Sequence, residues 1–339
     1  MPFPQIEGGA HLYSLFTHEI KMRLSVASHN IMDGRRLGGL LRSYRRISPR
    51  LNLKVLCIQE NIDLPQPACC ATRGSTHDAA GAIAATLGRT WERSDVRTLD
   101  SRLTTLFDGR FFTLIAQDVV ELPLLQSLSA FERTYISGGQ PEQKHALFTL
   151  LRSPKKGRGR RRSNLRDCRR TPGRTRARRR TPLFIVVANA HLDAAGTNSH
   201  RAAQMGAVAA HLSSWPLRFS RQRLLSPALC VVAADTNCFE VDRLAQREAL
   251  RKIMAPLEAT VGAKDLQSRS NPDTHWFART DEPNMGHKAA NLLGKLGIDA
   301  PRRYDVLASN AAPALSTGTE STIDSDHDLV WAILRVTRK

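Results

Sequence analysis

Apolar residues fall along this chain in short runs separated by polar clusters, and their spacing predicts strands alternating loosely with helices. Residues 23–28 (RLSVAS), 53–59 (LKVLCIQ), 145–151 (HALFTLL), 228–234 (ALCVVAA), 304–309 (YDVLAS) and 328–334 (DLVWAIL) read as strands. Residues 183–188 (LFIVVA) are apolar and β-branched, the pattern of a strand buried on both faces. Residues 103–107 and 111–115 flank Asp108-Gly109 and predict a hairpin. A helix over 37–44 carries Leu40, Leu41 and Tyr44 on one side, and Pro49 limits its extent. Residues 78–87 carry Ala79, Ile83 and Leu87 at helical spacing. Thr197 or Asn198 caps a third helix through Leu212, with Ala202, Met205, Ala209 and Leu212 as its stripe. The mixture points to an α/β sandwich rather than a regular parallel barrel, and it shows no internal repeat.

Several of these strands end in the same way, with an apolar run giving way to amides, acids or histidine. The clusters are Ser28-His29-Asn30, Gln59-Glu60-Asn61, Asn189-Ala190-His191-Leu192-Asp193 and Ala234-Asp235-Thr236-Asn237. A fifth, Ser325-Asp326-His327, precedes the final strand. Loops at strand ends are where a rigid frame holds reactive groups. Carboxylates and an amide without thiolates are hard oxygen donors suited to Mg²⁺ or Mn²⁺. Histidines next to acids can donate to phosphate oxygens, and an Asp with an Asn two residues on can orient a water. Together these groups suit hydrolysis of a phosphate ester.

Composition divides the chain. The formal net charge is +19, and residues 152–180 hold 13 Arg and 2 Lys against one acid, Asp167, so +14 of it lies there. With 41% hydrophobic residues the remainder can build a core. Residues 152–181 have almost no large apolar residue and read as a disordered Arg-rich insertion between two strands. Residues 1–21 read as a flexible leader, and 22–337 as one domain interrupted by that insertion. The insertion could neutralise nucleic-acid phosphates, act as a nuclear address, or be a tolerated low-complexity segment. No apolar run approaches the ~20 residues of a membrane helix, and the leader has no basic-then-apolar signal pattern. Six cysteines without paired C-x-x-C units fit a reducing compartment better than a zinc site. An intracellular location is expected, nuclear if the basic run is an address and otherwise cytoplasmic.

The motif set resembles that of the endonuclease/exonuclease/phosphatase superfamily, the fold of deoxyribonuclease I and exonuclease III. The matching residues run in order as Asn30, Gln59-Glu60, His191-Leu192, Asp235-x-Asn237 and Ser325-Asp326-His327. Arg201 and Gln204 match the Arg-x-x-Gln that often opens the next helix, and Asp305 stands where the family often has an Asp opening a strand. The resemblance implies a four-layered α/β sandwich, two packed mixed sheets flanked by helices, with the site at one edge. It implies Glu60 as the main Mg²⁺ (or Mn²⁺) ligand, with Asn30 close to metal and phosphate. Asp235, assisted by Asn237, would position or deprotonate water. His191 and His327 would donate to phosphoryl oxygens, and Asp326 would orient a histidine or support the metal. Asp305 would be a supporting partner. Two positions depart from the family's usual pattern: Ala234 replaces a usual Gly, and His29 replaces a usual aromatic. Asn189 and Asp193, flanking His191, are candidate substrate contacts, though Asp193 could equally serve its own loop. Trp276 could stack on a base or sugar, or anchor its loop. Arg201 reads as a structural helix residue.

These readings give a Mg²⁺-dependent phosphoesterase, acting first on nucleic acid as a nuclease or phosphodiesterase and expected to be a monomer. The alternatives are an inositol-phosphate phosphatase, a sphingomyelinase-like phosphodiesterase, or a basic nucleic-acid-binding protein without activity.

Overall fold

A computed structural model describes residues 20–31, 36–61, 63–65, 76–97, 102–135, 140–153, 182–220, 229–238, 240, 243–270, 272–274, 303–311, 313–322 and 325–338. The leader except its last two residues, the insertion except Arg152 and Ser153, and Trp276 lie outside the described residues.

In chain order the elements are β1 (Ile20–Asn30), α1 (Leu37–Leu51), β2 (Val55–Gln59), β3 (Asp63–Pro65), β4 (Thr76–Asp78), α2 (Ala79–Leu87), β5 (Trp91–Arg97) and β6 (Arg102–Asp108). There follow β7 (Thr113–Glu121), α3 (Ala130–Tyr135), β8 (His145–Arg152), β9 (Phe184–His191), α4 (Asn198–Ser220), β10 (Leu229–Asp235) and α5 (Arg243–Val261). The chain closes with β11 (Lys264–Asp265), β12 (Asp305–Ser309), β13 (Ser316–Glu320) and β14 (Leu329–Arg338). One six-stranded sheet has the order β13-β14-β1-β2-β6-β5, and the other β11-β12-β10-β9-β8-β7. Each contains one parallel pair, β1–β2 or β9–β10, flanked by antiparallel neighbours.

Period-2 alternation sorts the side chains into layers. Leu24, Val26, Val55, Cys57, Ile185, Val187, Val231, Ala233 and Leu307 meet between the sheets. The alternate residues of sheet one pack on α1 and α2 through Leu40, Tyr44, Ile47 and Ile83. Those of sheet two pack on α4 and α5 through Met205, Leu212, Ile253 and Leu257. Each large aliphatic side chain so buried stabilises the fold by about 1.5–3 kcal/mol. The result is the expected four-layered sandwich. Among the described residues, no helix is long and apolar enough to cross a membrane.

The same alternation carries a functional consequence. Continuing the inward-facing rows past their apolar stretch reaches Asn30, Gln59, Asn189, His191, Asp235 and Asp305. All six lie at one end of the sandwich, so the hydrophobic core runs directly into the polar cluster. The insertion joins β8 to β9 at the other end. Ser153 N–H donates to Leu183 O at 2.8 Å, and Leu183 N–H donates to Ser153 Oγ at 2.9 Å. From Phe184 to His191 the strand spans about 23 Å.

Local readings hold in places and fail in others. Asp78 Oδ1 caps α2 by accepting from Gly81 N–H at 2.9 Å, and Thr197 Oγ1 caps α4 by accepting from His200 N–H at 3.2 Å. The predicted hairpin around Asp108-Gly109 does not form. Both edges of β6 are taken, by β2 and β5, so β7 has no edge to join and crosses to the other sheet. Phe112, fully buried between the sheets, anchors the crossing. Helix α1 runs past Pro49 to Leu51, because Pro49 lies on the exposed side while Leu40, Tyr44, Ile47 and Leu51 keep the buried stripe intact. Helix α4 likewise runs beyond Leu212 to Ser220, carrying Trp215 into the core. The sequence pattern assigned no element to α5. Its stripe of Gln246, Ala249, Leu250, Ile253, Met254 and Leu257 is interrupted by charged residues and Pro256.

Asp108 braces the crossing turn. It is buried and accepts from Thr90 Oγ1 at 2.9 Å, Arg110 N–H at 3.0 Å and the Arg110 guanidinium at 2.6–3.0 Å. Burial opposes its charge, but the Arg110 and Thr90 bonds outweigh that and hold it below the usual carboxylate range. A depressed folded value stabilises the fold above the unfolded value, and that stabilisation is lost as pH falls through the folded one. Asp108→Asn is therefore expected to lose about 1–3 kcal/mol at pH 7 in urea unfolding. The gap from wild type should close as pH drops below about 3.9. Equal midpoints at pH 7 would remove this role.

Candidate active site

The polar end of the sandwich is assembled by strand register. Parallel pairing of β1 and β2 sets Asn30 beside Gln59, and Glu60 follows. In the other sheet, His191, Asp235 and Asp305 form one row across β9, β10 and β12. Asn30 bridges the two sheets: its Nδ2 donates to Glu60 Oε1 at 2.8 Å and to Asp235 Oδ2 at 2.9 Å. Glu60 sits at φ +55°, a left-handed conformation that costs a non-glycine residue about 1–3 kcal/mol and collects at functional sites.

Asp235 is enclosed. Its Oδ1 accepts from Asn237 N–H at 2.9 Å, a geometry set by Asn237's own positive φ of 46°. The Asn237 amide donates to Leu192 O at 2.8 Å. Asp235 Oδ2 lies 3.6 Å from His191 Nε2 and 3.8 Å from His327 Nε2. Burial opposes the Asp235 charge, but the two imidazoles and the Asn30 and Asn237 hydrogen bonds outweigh it and hold the carboxyl below its ordinary value.

The two histidines differ. Burial, assisted by the Lys144 charge, pushes His191 down to about 3, so its ring is neutral at pH 7. Its Nε2 also lies 3.7 Å from Glu60 Oε1, so the nitrogen facing two carboxylates is the one carrying hydrogen. His327 moves the other way. Burial disfavours its charge, but Asp305, Asp235 and Asp326 outweigh burial and hold it well above the usual imidazole value. Its Nδ1 donates to Asp305 Oδ2 at 2.7 Å. Asp326 Oδ1 is 4.0 Å from Nε2, so the acid that orients this ring is Asp305, with Asp326 at the mouth.

Hard oxygen donors dominate the cluster. Four carboxylates, Glu60, Asp235, Asp305 and Asp326, face one imidazolium and one neutral imidazole. That surplus of negative charge fits a hard divalent cation. Among the described residues, Asp235, Asp305 and His327 offer donor atoms within 4.8 Å of one another. The carboxylates and the Asn30 amide supply the hard oxygen donors that fit such an ion.

Two candidate substrate contacts have other partners. Asn189 is fully buried two residues below His191. Its Oδ1 accepts from Gln59 Nε2 at 2.7 Å, and its Nδ2 donates to Ile58 O and Thr104 O, both at 3.0 Å. It fastens one sheet to the other. Asp193 Oδ2 pairs with His200 Nε2 at 2.8 Å and accepts from Gln204 Nε2 at 2.9 Å. Arg201 donates to Asp193 O at 2.9 Å and Ala194 O at 2.7 Å, a structural role.

The sequence reading passed over Lys144 and noted Thr274 only as the start of the loop cluster that holds Trp276. The antiparallel register of β8 and β9 sets Ala146 against Ala190 and so brings Lys144, paired with Glu142 at 2.5 Å, close to His191. Thr274 Oγ1 accepts from the N–H groups of Tyr304 and Asp305 at 3.0 Å. Only tertiary pairing reveals either. Asn189→Ala is expected to leave Gln59 and two strand carbonyls unpaired and to cost about 2–4 kcal/mol. Urea unfolding of the full chain measures it, and an unchanged midpoint would return Asn189 to the list of cleft residues.

No protein-family model matches this chain, and no curated protein matches it in sequence. Solved structures do match in shape. TDP2 from D. rerio, complexed with a single-strand DNA product, gives a TM-score of 0.53 at 11% identity, covering 93% of this chain and 99% of that one. An endonuclease/exonuclease/phosphatase family protein from Bacteroides thetaiotaomicron gives 0.51 at 11% identity, over 93% and 98%. Truncated TDP2 from Caenorhabditis elegans gives 0.50 at 16% identity, again over 93% and 98%. The match in shape runs over nearly the full length of both chains: this chain has the endonuclease/exonuclease/phosphatase fold.

Proposed function

We propose that this protein is a divalent-metal-dependent phosphoesterase, acting on nucleic acid as a nuclease or phosphodiesterase. The observation that carries the reading is the convergence on Asp235: Asn30 at 2.9 Å, His191 at 3.6 Å and His327 at 3.8 Å, with His327 braced on Asp305 at 2.7 Å.

In this reading Glu60, Asn30 and Asp326 hold Mg²⁺ or Mn²⁺, which when bound polarises the phosphoryl group as a Lewis acid. Asp235 Oδ2 orients the attacking water and accepts its proton. The depressed pKa keeps that oxygen ionised, and the Asn237 N–H fixes the carboxylate by its other oxygen. The Nε2–H groups of His191 and His327 donate to phosphoryl oxygens as charge builds on them, which preorganised donors do without reorganisation. His327 carries a full positive charge, so it contributes more than His191. Asp305 keeps the proton of His327 Nδ1 in place and aims Nε2 at the cleft.

Two facts support nucleic acid over other phosphate esters. The chain carries a segment of +14, and the TDP2 structure it resembles holds a single-strand DNA product. In this reading the segment's contribution is to capture and retain a polyanion.

The full chain should be assayed with Mg²⁺ or Mn²⁺ on single-stranded DNA, RNA, abasic DNA, inositol phosphates and sphingomyelin. Asp235→Asn and His327→Ala should each lower kcat by about 10²–10⁴-fold on whichever substrate turns over, with circular dichroism unchanged. Full activity in either variant overturns the assignment. Turnover confined to inositol phosphates or sphingomyelin moves the substrate class, and binding of DNA without turnover anywhere favours a binding protein. Deleting residues 154–180 should flatten the salt dependence of DNA affinity, and an unchanged slope removes the capture role.

A further inference from the structure

The geometry points to His29 as a positioning residue that, with Tyr44 and Thr322, fixes the main chain of His327 from behind the site. The inference rests on the reading of His327 as a catalytic donor. It concerns a residue one place before Asn30, where this chain has histidine in place of the aromatic usual in the proteins it resembles.

Every group in the assembly is buried: Tyr44 is 1% exposed, His29 0%, Thr322 1% and His327 5%. The His327 carbonyl lies 3.3 Å from His29 Nε2 and 2.9 Å from Thr322 Oγ1. His29 Nε2 is also 3.1 Å from Thr322 Oγ1, and His29 Nδ1 is 2.7 Å from the Tyr44 hydroxyl.

The donors follow by elimination. A carbonyl only accepts, so His29 Nε2 and Thr322 Oγ1 both give it a hydrogen and occupy its two lone pairs. Thr322 has spent its one hydrogen there, so it receives from His29 Nε2–H as well. Among the described residues no carboxylate hydrogen-bonds the ring, and it is fully buried, so the imidazole stays neutral and its Nδ1 is the acceptor. Tyr44 O–H is then the donor at 2.7 Å. The relay runs Tyr44 O–H to His29 Nδ1, and His29 Nε2–H to Thr322 and the His327 carbonyl.

On its other side, His327 N–H donates to Ser325 Oγ at 3.1 Å, and Ser325 Oγ–H donates to Asn30 O at 2.8 Å. The N–H and the C=O of His327 are thus both held, and its ring by Asp305. Tyr44 sits on α1, so the outer helix layer takes part in aiming a side chain on the opposite side of its own sheet. A phenyl ring at position 29 would fill the same space and supply none of these bonds.

Two measurements test this, one independent of turnover. In full-length protein labelled with ¹⁵N-histidine, long-range ¹H–¹⁵N correlation should show His29 as the Nε2–H tautomer, unchanged between pH 6 and 8. An Nδ1–H tautomer or a titrating ring overturns the relay, whether or not the protein is an enzyme. In the second, His29→Phe and Thr322→Val are compared with wild type using bis(p-nitrophenyl) phosphate and Mn²⁺. Each should lower kcat by about 10- to 100-fold with KM within twofold, because a donor misplaced by about 1 Å costs that much. Tyr44→Phe should cost less than either. Wild-type kcat in a folded His29→Phe or Thr322→Val protein overturns the positioning role. If His29→Phe does not fold, Thr322→Val decides alone. Absence of turnover in wild type counts against the phosphoesterase reading, and the tautomer then decides the relay.

Discussion

The buried amide contact between Asn189 and Gln59 is the constraint on which the polar end of this sandwich depends. Face-to-face sheets held by aliphatic packing alone can slide, because the hydrophobic effect has no direction. Hydrogen bonds do have direction. Asn189, on β9, takes a hydrogen from Gln59 and gives two to carbonyls of β2 and β6, so one side chain sets both separation and offset of the sheets. Two residues on, β9 delivers His191, and one residue on, β2 delivers Glu60. The 3.7 Å between those two groups inherits its accuracy from the amide contact beneath them.

Above that contact, charge takes over from packing. The cluster holds more negative charge than its imidazoles balance, and it keeps Glu60 in a left-handed backbone conformation. Neither arrangement favours stability. Both are explicable if a cation completes the site, since the carboxylates then face positive charge and Glu60 is turned toward it.

Much of this was legible in the sequence, and the limits have physical causes. Strand ends such as Asn30, Asp235 and His191 announced themselves because an apolar run that stops in an amide, acid or imidazole marks the edge of a buried sheet. The motif order then identified the fold. Strand partners were not legible. Asp108-Gly109 has the local chemistry of a hairpin, yet β6 had no free edge, and edge occupancy is a property of the whole sheet. Asn189 looked like a cleft residue because it neighbours His191, whereas the packed second sheet buries it. The role of His29 needed the C-terminal loop, about 300 residues away in sequence, to be folded against β1. Helix α5 was missed although its stripe was present, since charges and a proline interrupted the reading.

The central claim is that the inner strand faces of both sheets, apolar for most of their length, end in a divalent-cation site used for phosphoryl chemistry. Anomalous diffraction from crystals of the full chain grown with Mn²⁺ tests it most directly. The account predicts a single strong peak in the cleft bounded by Glu60, Asn30 and Asp326, lost in Glu60→Gln crystals. Full occupancy at another position with the cleft empty, or a peak undiminished by Glu60→Gln, would contradict it.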